Sequence, residues 1–340
     1  MRRWMALGVC VGLLVALAGC GGRHDVMAES PSGCVVNDPR PGDLRDDPGA
    51  DLLPADYQAP PPASTVAHLA YGGLPEQVLD LHLPATTRPR PVLVWVHPGG
   101  WVAGSRLNVP EMVRRQVARA GFAVASVDYR LSSYTADGQP VHPFPAAVSD
   151  VKAAIRWLKA NAATHNLRAD RIILVGGSAG GHLAAFAGVT PGRFEPPGQP
   201  LPLSSEVAGV VSISGPMDLA TLVRGHPWGT GLTEAFLGCP QGTPEHPVTC
   251  TDEQLRAASV ATYLDPSDPP AYLAYGEEDG LVDPRTQGAA ARAAWVSVKP
   301  DDCAVAYDFV EGSGHNLDHD SLNLRAFELF LDEVVAGTVR

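Results

Sequence analysis

The feature that most restricts this chain is a glycine-flanked serine, Gly176-Gly177-Ser178-Ala179-Gly180. It comes directly after the apolar run Ile172-Ile173-Leu174-Val175 and opens a helical stretch from His182 to Ala187. Strand, tight turn and helix in that order leave few folds open. A serine can raise its oxygen above a sheet on such a turn only if its neighbours lack the Cβ atoms that would strike the adjoining strand and helix. Without this context Ser178 would read as an ordinary helix N-cap. Two further features point to chemistry instead.

The first is His97-Pro98-Gly99-Gly100-Trp101 at the end of the apolar strand Val92-Leu93-Val94-Trp95-Val96. In a sheet carrying a serine turn, this loop puts glycine amides beside the serine. Backbone N–H groups from Gly99, Gly100 and Ala179 form a candidate oxyanion hole, because fixed donors stabilise a developing alkoxide without reorganising. His97 reads as a residue that holds this loop and not as a base. The second feature is the order of the remaining partners. Glu277, Glu278, Asp279 and Asp283 follow the strand ending at Gly276, and Gly312-Ser313-Gly314-His315 follows the strand ending at Val310. An acid and then a base, each on a loop after a strand, is the order a serine triad takes in an α/β sheet. Spacing leaves Glu278, Asp279 and Asp283 all open as the acid. His315 is the expected base, whereas His319 lies near the start of the last helix and reads as a solvated or capping residue.

Around these motifs the pattern is α/β, with apolar runs alternating with helical periods as in a mostly parallel sheet covered on both faces. Strands are expected at 78–83, 92–97, 122–128, 171–176, 207–214, 271–276 and 304–310. Val148, Val151, Ile155 and Leu158 mark one helix face, which Pro143 and Pro145 prevent from starting earlier. Leu324, Phe327, Leu331 and Val334 mark a final helix, and 110–120 a third that Gly121 ends.

The amino terminus reads differently. Arg2 and Arg3 precede a short apolar run, Met5 to Ala18, that ends in Leu17-Ala18-Gly19-Cys20. Residues 1–20 are expected to be a lipoprotein-type signal with Cys20 as the lipidated residue, 21–62 a Pro/Gly-rich tether, and 63–340 the catalytic domain. The expected location is therefore an exported bacterial cell-surface lipoprotein. Four cysteines remain, and in an oxidising compartment the short separation favours Cys239 with Cys250, leaving Cys34 with Cys303. The formal net charge of −12 leaves no basic field for a nucleic acid. With no Cys-x-x-Cys pair and no zinc-like histidine spacing, no metal or organic cofactor is expected.

Residues 65–335 resemble α/β-hydrolase esterases related to hormone-sensitive lipase and, more closely, the bacterial feruloyl and acetyl esterase-like enzymes. The resemblance is carried by Leu79-Asp80-Leu81, the His97–Trp101 loop, Val127-Asp128-Tyr129-Arg130-Leu131 and Gly177-Ser178-Ala179-Gly180-Gly181-His182. The family's Gly-x-x-Asp-x-x-Val pattern falls on Gly276, Asp279 and Val282, which implies Asp279 as the acid and His315 as the base. It also implies oxyanion amides at Gly99 and Gly100; Pro98 stands where the family has glycine, at a position whose N–H the family does not use. The implied activity is hydrolysis of short-chain, carbohydrate or aryl carboxylic esters. The loop ending at Trp101 also resembles that of arylformamidase-like amidases, which remain an alternative, as does a surface protein with a vestigial site. The variable segment 216–270, with Trp228, Phe236 and the Cys239/Cys250 staple, reads either as an acyl-pocket wall or lid or as a surface insertion that packs on itself.

Overall fold

The computed structural model describes residues 64–119, 121–196, 203–225, 227–241, 249–299, 304–316, 322 and 324–338. The signal, the tether, Cys20, Cys34, Cys303 and His319 lie outside the described residues.

Ten strands are described: β1 (Ser64–Ala70), β2 (Val78–Leu83), β3 (Arg90–Val96), β4 (Ala123–Val127), β5 (Ser133–Tyr134), β6 (Pro140–Val141), β7 (Leu167–Gly177), β8 (Gly209–Ile213), β9 (Ala271–Gly276) and β10 (Val305–Val310). β5 and β6 make a small separate ribbon, and the other eight form one sheet in the order β1-β2-β4-β3-β7-β8-β9-β10. In this sheet β1 and β2 pair antiparallel, as do β2 and β4, and every other pairing is parallel. The parallel strands are continuous apolar runs because both of their faces are covered. Val92, Val94 and Val96 enter one core with Ile172 and Leu174, whereas Leu93 and Trp95 enter the opposite core with Ile173 and Val175. This is the two-residue period of a strand dividing its side chains between two layers.

The helices fill those layers. α2 (Ala146–Ala160) and α4 (Ala179–Gly188) supply the first core, and α1 (Glu111–Arg119) and α9 (Leu324–Ala336) the second. α2 begins directly after Pro145. A short α3 (Ala162–His165) follows it, and α8 (Ala290–Val298) precedes β10. Between β8 and β9 the chain forms α5 (Leu219–Gly225), α6 (Pro227–Leu237) and α7 (Asp252–Ala257). A Cys239–Cys250 disulfide, with Cα atoms 5.3 Å apart, ties α6 to the segment leading into α7.

Two differences from the sequence expectation have simple causes. β1 has no apolar alternation because it is an edge strand with mostly exposed residues, broken by a bulge between Val66 and Leu69. β7 starts at Leu167 instead of 171 because polar residues such as Arg168 and Asp170 occupy its solvated end. The sheet order also explains where a site can form. From β3 the chain moves outward to β4, then returns to the other side of β3 as β7, so the order reverses between β3 and β7. The carboxyl ends of those two strands flank a crevice, the place where α/β sheets bind ligands.

Candidate active site

Ser178 stands on the turn from β7 into α4 with φ 52° and ψ −122°, a backbone conformation that a residue with a side chain rarely holds. Its N–H donates to the Ile213 carbonyl at 2.7 Å, and its own carbonyl accepts from the His182 N–H at 3.0 Å, so β8 and the first turn of α4 both hold it. The glycines leave room for this. A Cβ on Gly176 would lie 2.2 Å from the Gly180 carbonyl oxygen, and one on Gly180 would lie 2.1 Å from that of Val96.

His315 Nε2 lies 2.9 Å from Ser178 Oγ, and His315 Nδ1 lies 2.8 Å from Asp279 Oδ2. A carboxylate can only accept, so Nδ1 carries the hydrogen and Nε2 is free to accept from the serine hydroxyl. The second Asp279 oxygen accepts the N–H groups of Leu281 and Val282, both at 2.9 Å. Burial acts to raise the Asp279 carboxyl, but the hydrogen bonds from His315, Val282 and Leu281 outweigh it and hold it below the usual aspartate value. The acid and base loops are pinned together by the Glu278 N–H donating to the Ser313 carbonyl at 2.8 Å. That approach depends on Gly276, whose Cβ would come within 2.4 Å of the Ser313 oxygen.

Neither competing acid is bonded to His315 among the described residues. Asp283 caps a single π-helical turn, Pro284–Ala289, accepting from the N–H groups of Arg285 and Thr286. Glu278 is exposed. The imidazolium formed during catalysis needs its buried counter-charge, so Asp279→Asn is expected to lower turnover about 10⁴-fold while Ser178 and His315 stay in place; steady-state kinetics on a chromogenic ester checks this.

The His97–Trp101 loop lies beside the serine, with positive φ at Gly99 (132°), Gly100 (60°) and Trp101 (64°). The Gly99 carbonyl accepts from Val102 and Ala103, closing the loop into a turn. His97 is buried, stacks on Tyr129 with ring centroids 4.2 Å apart, and bonds through Nδ1 to the Pro98 carbonyl at 2.9 Å. Burial lowers its pKa despite opposing contributions from the Pro98 carbonyl and Asp128. Tyr129 also donates to the His97 carbonyl at 3.0 Å. Further along, Arg106 bridges Asp80 within β2 and Asp128 just past β4. Tyr129 thus braces the loop itself, while Asp80 and Asp128 hold Arg106 in the segment that follows it. Sequence alone could not assign them those tasks, since their partners are 22 to 32 positions away.

A cavity of about 440 Å³ opens beside Ser178 and His315. Among the described residues its walls are largely apolar side chains of β3, α1 and the segment between them, notably Trp95, Leu107, Val109 and Met112, with Ile213 from β8. Of segment 216–270, Phe236 is buried behind the loop, stacked on Trp101, while the exposed Leu232 lies so close to the loop that a Cβ on Gly100 would come within 2.8 Å of its side chain.

A model of the BD-FAE family matches residues 79–293, which contain the serine turn, the glycine loop and Asp279. The chain belongs to the BD-FAE family. Among curated proteins this BD-FAE member is similar to esterase LipC of Mycobacterium tuberculosis, 36% identical over 40% of this chain and 35% of the relative. It is also similar to the probable carboxylic ester hydrolase LipM of the same organism, 29% identical over 60% of this chain and 44% of the relative. The chain therefore spans less than half the length of those two relatives. Among solved structures, a truncated carbohydrate esterase from gut microbiota superimposes with a TM-score of 0.63 at 25% identity, covering 82% of this chain and all of that one.

Proposed function

We propose that this BD-FAE chain hydrolyses carboxylic esters through an acyl-enzyme on Ser178. The observation that carries this reading is the unbroken hydrogen-bonded path from Ser178 Oγ through His315 to the buried Asp279. In the first step His315 Nε2 takes the hydroxyl proton as Oγ bonds to the ester carbonyl carbon, and the carbonyl electrons move onto oxygen. The amides of Gly99, Gly100 and Ala179 receive that charge. The tetrahedral species collapses as the bond to the alcohol oxygen breaks, with His315 returning the proton to the alcohol. Water, deprotonated by the same imidazole, then attacks the acyl carbon and releases the acid with Ser178 restored. Asp279 stays ionised throughout and stabilises the imidazolium; its lowered pKa suits that task.

Substrates of this reading are short-chain, carbohydrate or aryl esters. Support comes from the apolar cavity beside Ser178 and from the carbohydrate esterase among the similar structures. The test is a p-nitrophenyl ester series from acetate to palmitate, with acetylated xylan and methyl ferulate, on purified residues 21–340. Hydrolysis of at least one ester class is expected. Turnover of N-formyl amides faster than any ester would move the assignment to an amidase. The amino-terminal box ending at Cys20 supports a lipid-anchored, exported protein. Fatty-acid labelling in the host is then expected, and its loss in Cys20→Ala is the check.

A further inference from the structure

We propose that His182 is a positioning residue that holds the oxyanion loop through the indole of Trp101, locking that loop to the same helical turn that carries the nucleophile. This inference rests on the esterase reading above and concerns how its oxyanion site is kept in register.

Trp101 directly follows the two loop glycines and holds φ 64°, a conformation unfavourable for a bulky side chain. Strain of this kind persists only where surrounding contacts over-determine it. Here three contacts do so. The indole Nε1–H donates to His182 Nδ1 at 3.2 Å, the indole stacks on Phe236 with centroids 4.7 Å apart, and the Trp101 carbonyl accepts the Ser132 N–H at 2.9 Å. Trp101, His182 and Phe236 are all buried.

The tautomer of His182 follows from its partners. Nε2 lies 2.8 Å from the Ala258 carbonyl, which can only accept, so Nε2 carries the hydrogen. Indole N–H can only donate, so it requires the lone pair left on Nδ1. Both needs are met by one neutral imidazole. Burial supplies that state, pushing His182 down to about 4 against the opposing effect of the Ala258 carbonyl.

The placement of His182 gives the bond its consequence. Its N–H closes the first turn of α4 onto the Ser178 carbonyl, so nucleophile and imidazole move together. Trp101 is bonded through the peptide chain to Gly100. The His182–Trp101 hydrogen bond therefore connects the attacking oxygen to the amides that receive the oxyanion, and reorganisation of either would separate them.

The test uses Trp101→Phe, which keeps an aromatic ring against Phe236 and removes the indole N–H donor with part of the ring, together with His182→Leu and the double variant. Active sites are counted by exhaustive fluorophosphonate labelling, so unfolded molecules do not enter the rate. The expected result for Trp101→Phe is a fall in kcat per labelled site of about 10-fold or more with KM within about twofold, since a misplaced oxyanion donor acts on the transition state alone. His182→Leu added to it is expected to lower the rate by less than about threefold further, because the bond that acts on the oxyanion loop is already broken in Trp101→Phe and the remaining His182–Ala258 bond does not touch that loop. Turnover per labelled site in Trp101→Phe within about threefold of the parent, or losses that multiply in the double variant, would overturn the proposal. If Trp101→Phe does not fold, His182→Gln takes its place: its carboxamide offers a donor and an acceptor, so per-site kcat above that of His182→Leu is expected and equality overturns the proposal. Failure of the esterase reading is separately visible as absence of ester turnover in the parent chain.

Discussion

Ser178→Ala is expected to lower ester turnover by about 10⁶-fold and to leave the protein folded. The rate loss corresponds to about 8 kcal/mol of transition-state stabilisation. It is large because the serine, imidazole and carboxylate act as one unit: without Oγ, His315 Nε2 has no proton to take and Asp279 no imidazolium to stabilise. The fold is expected to survive because Ser178 holds its turn through the backbone, N–H to Ile213 and carbonyl from His182, and alanine keeps both bonds. A residual acceleration of about 10³–10⁴ over water is expected from the oxyanion amides and substrate binding. The measurements are kcat on a short p-nitrophenyl ester, labelling by a fluorophosphonate, and the thermal midpoint. Labelling that persists in the variant would place the nucleophile elsewhere.

The second large effect concerns stability. Gly180→Val is expected to abolish the folded state, and even Gly180→Ala to cost more than about 4 kcal/mol, a large share of the 5–15 kcal/mol that holds a typical domain. A Cβ at this position would sit 2.1 Å from the Val96 oxygen and 2.6 Å from the His97 oxygen. Neither is the movable end of a side chain; both belong to the carboxyl end of β3 and the loop that follows it. Relief requires α4 to lift away from β3, which opens the core between them where Leu183 and Val96 pack. Gly73→Ala is the control, since nothing lies within 4 Å of its Cβ and the position is exposed. Its unfolding midpoint in urea should stay close to the parent, whereas that of Gly180→Ala should fall sharply or be unmeasurable.

Much of the architecture was legible before any coordinates. β2 and β9 span the residues their apolar runs marked, and the start of α2 follows from Pro145. These segments are buried on both faces, so their pattern is continuous and local. β1 escaped notice because an exposed edge strand needs no apolar run. The serine turn was equally visible, since its glycines are required by contacts within a few residues of chain and by the neighbouring strand.

The division at the site follows the same principle. From the order of residues came a serine on a strand-to-helix turn, a glycine loop after an earlier strand, and an acid loop and a base loop after two later ones. Each is a short-range pattern that the chain must carry wherever the fold places it. Only the tertiary structure separated Asp279 from Asp283 and Glu278 on physical grounds, because that choice depends on which carboxylate meets an imidazole 36 residues away and which is spent on a helix end. It alone placed Phe236 at the back of the oxyanion loop. It alone joined Trp101 to His182 across 81 positions. Hydrogen bonds and ring stacking act over a few ångströms in space, and nothing in sequence spacing records which distant residues the sheet will bring within that range.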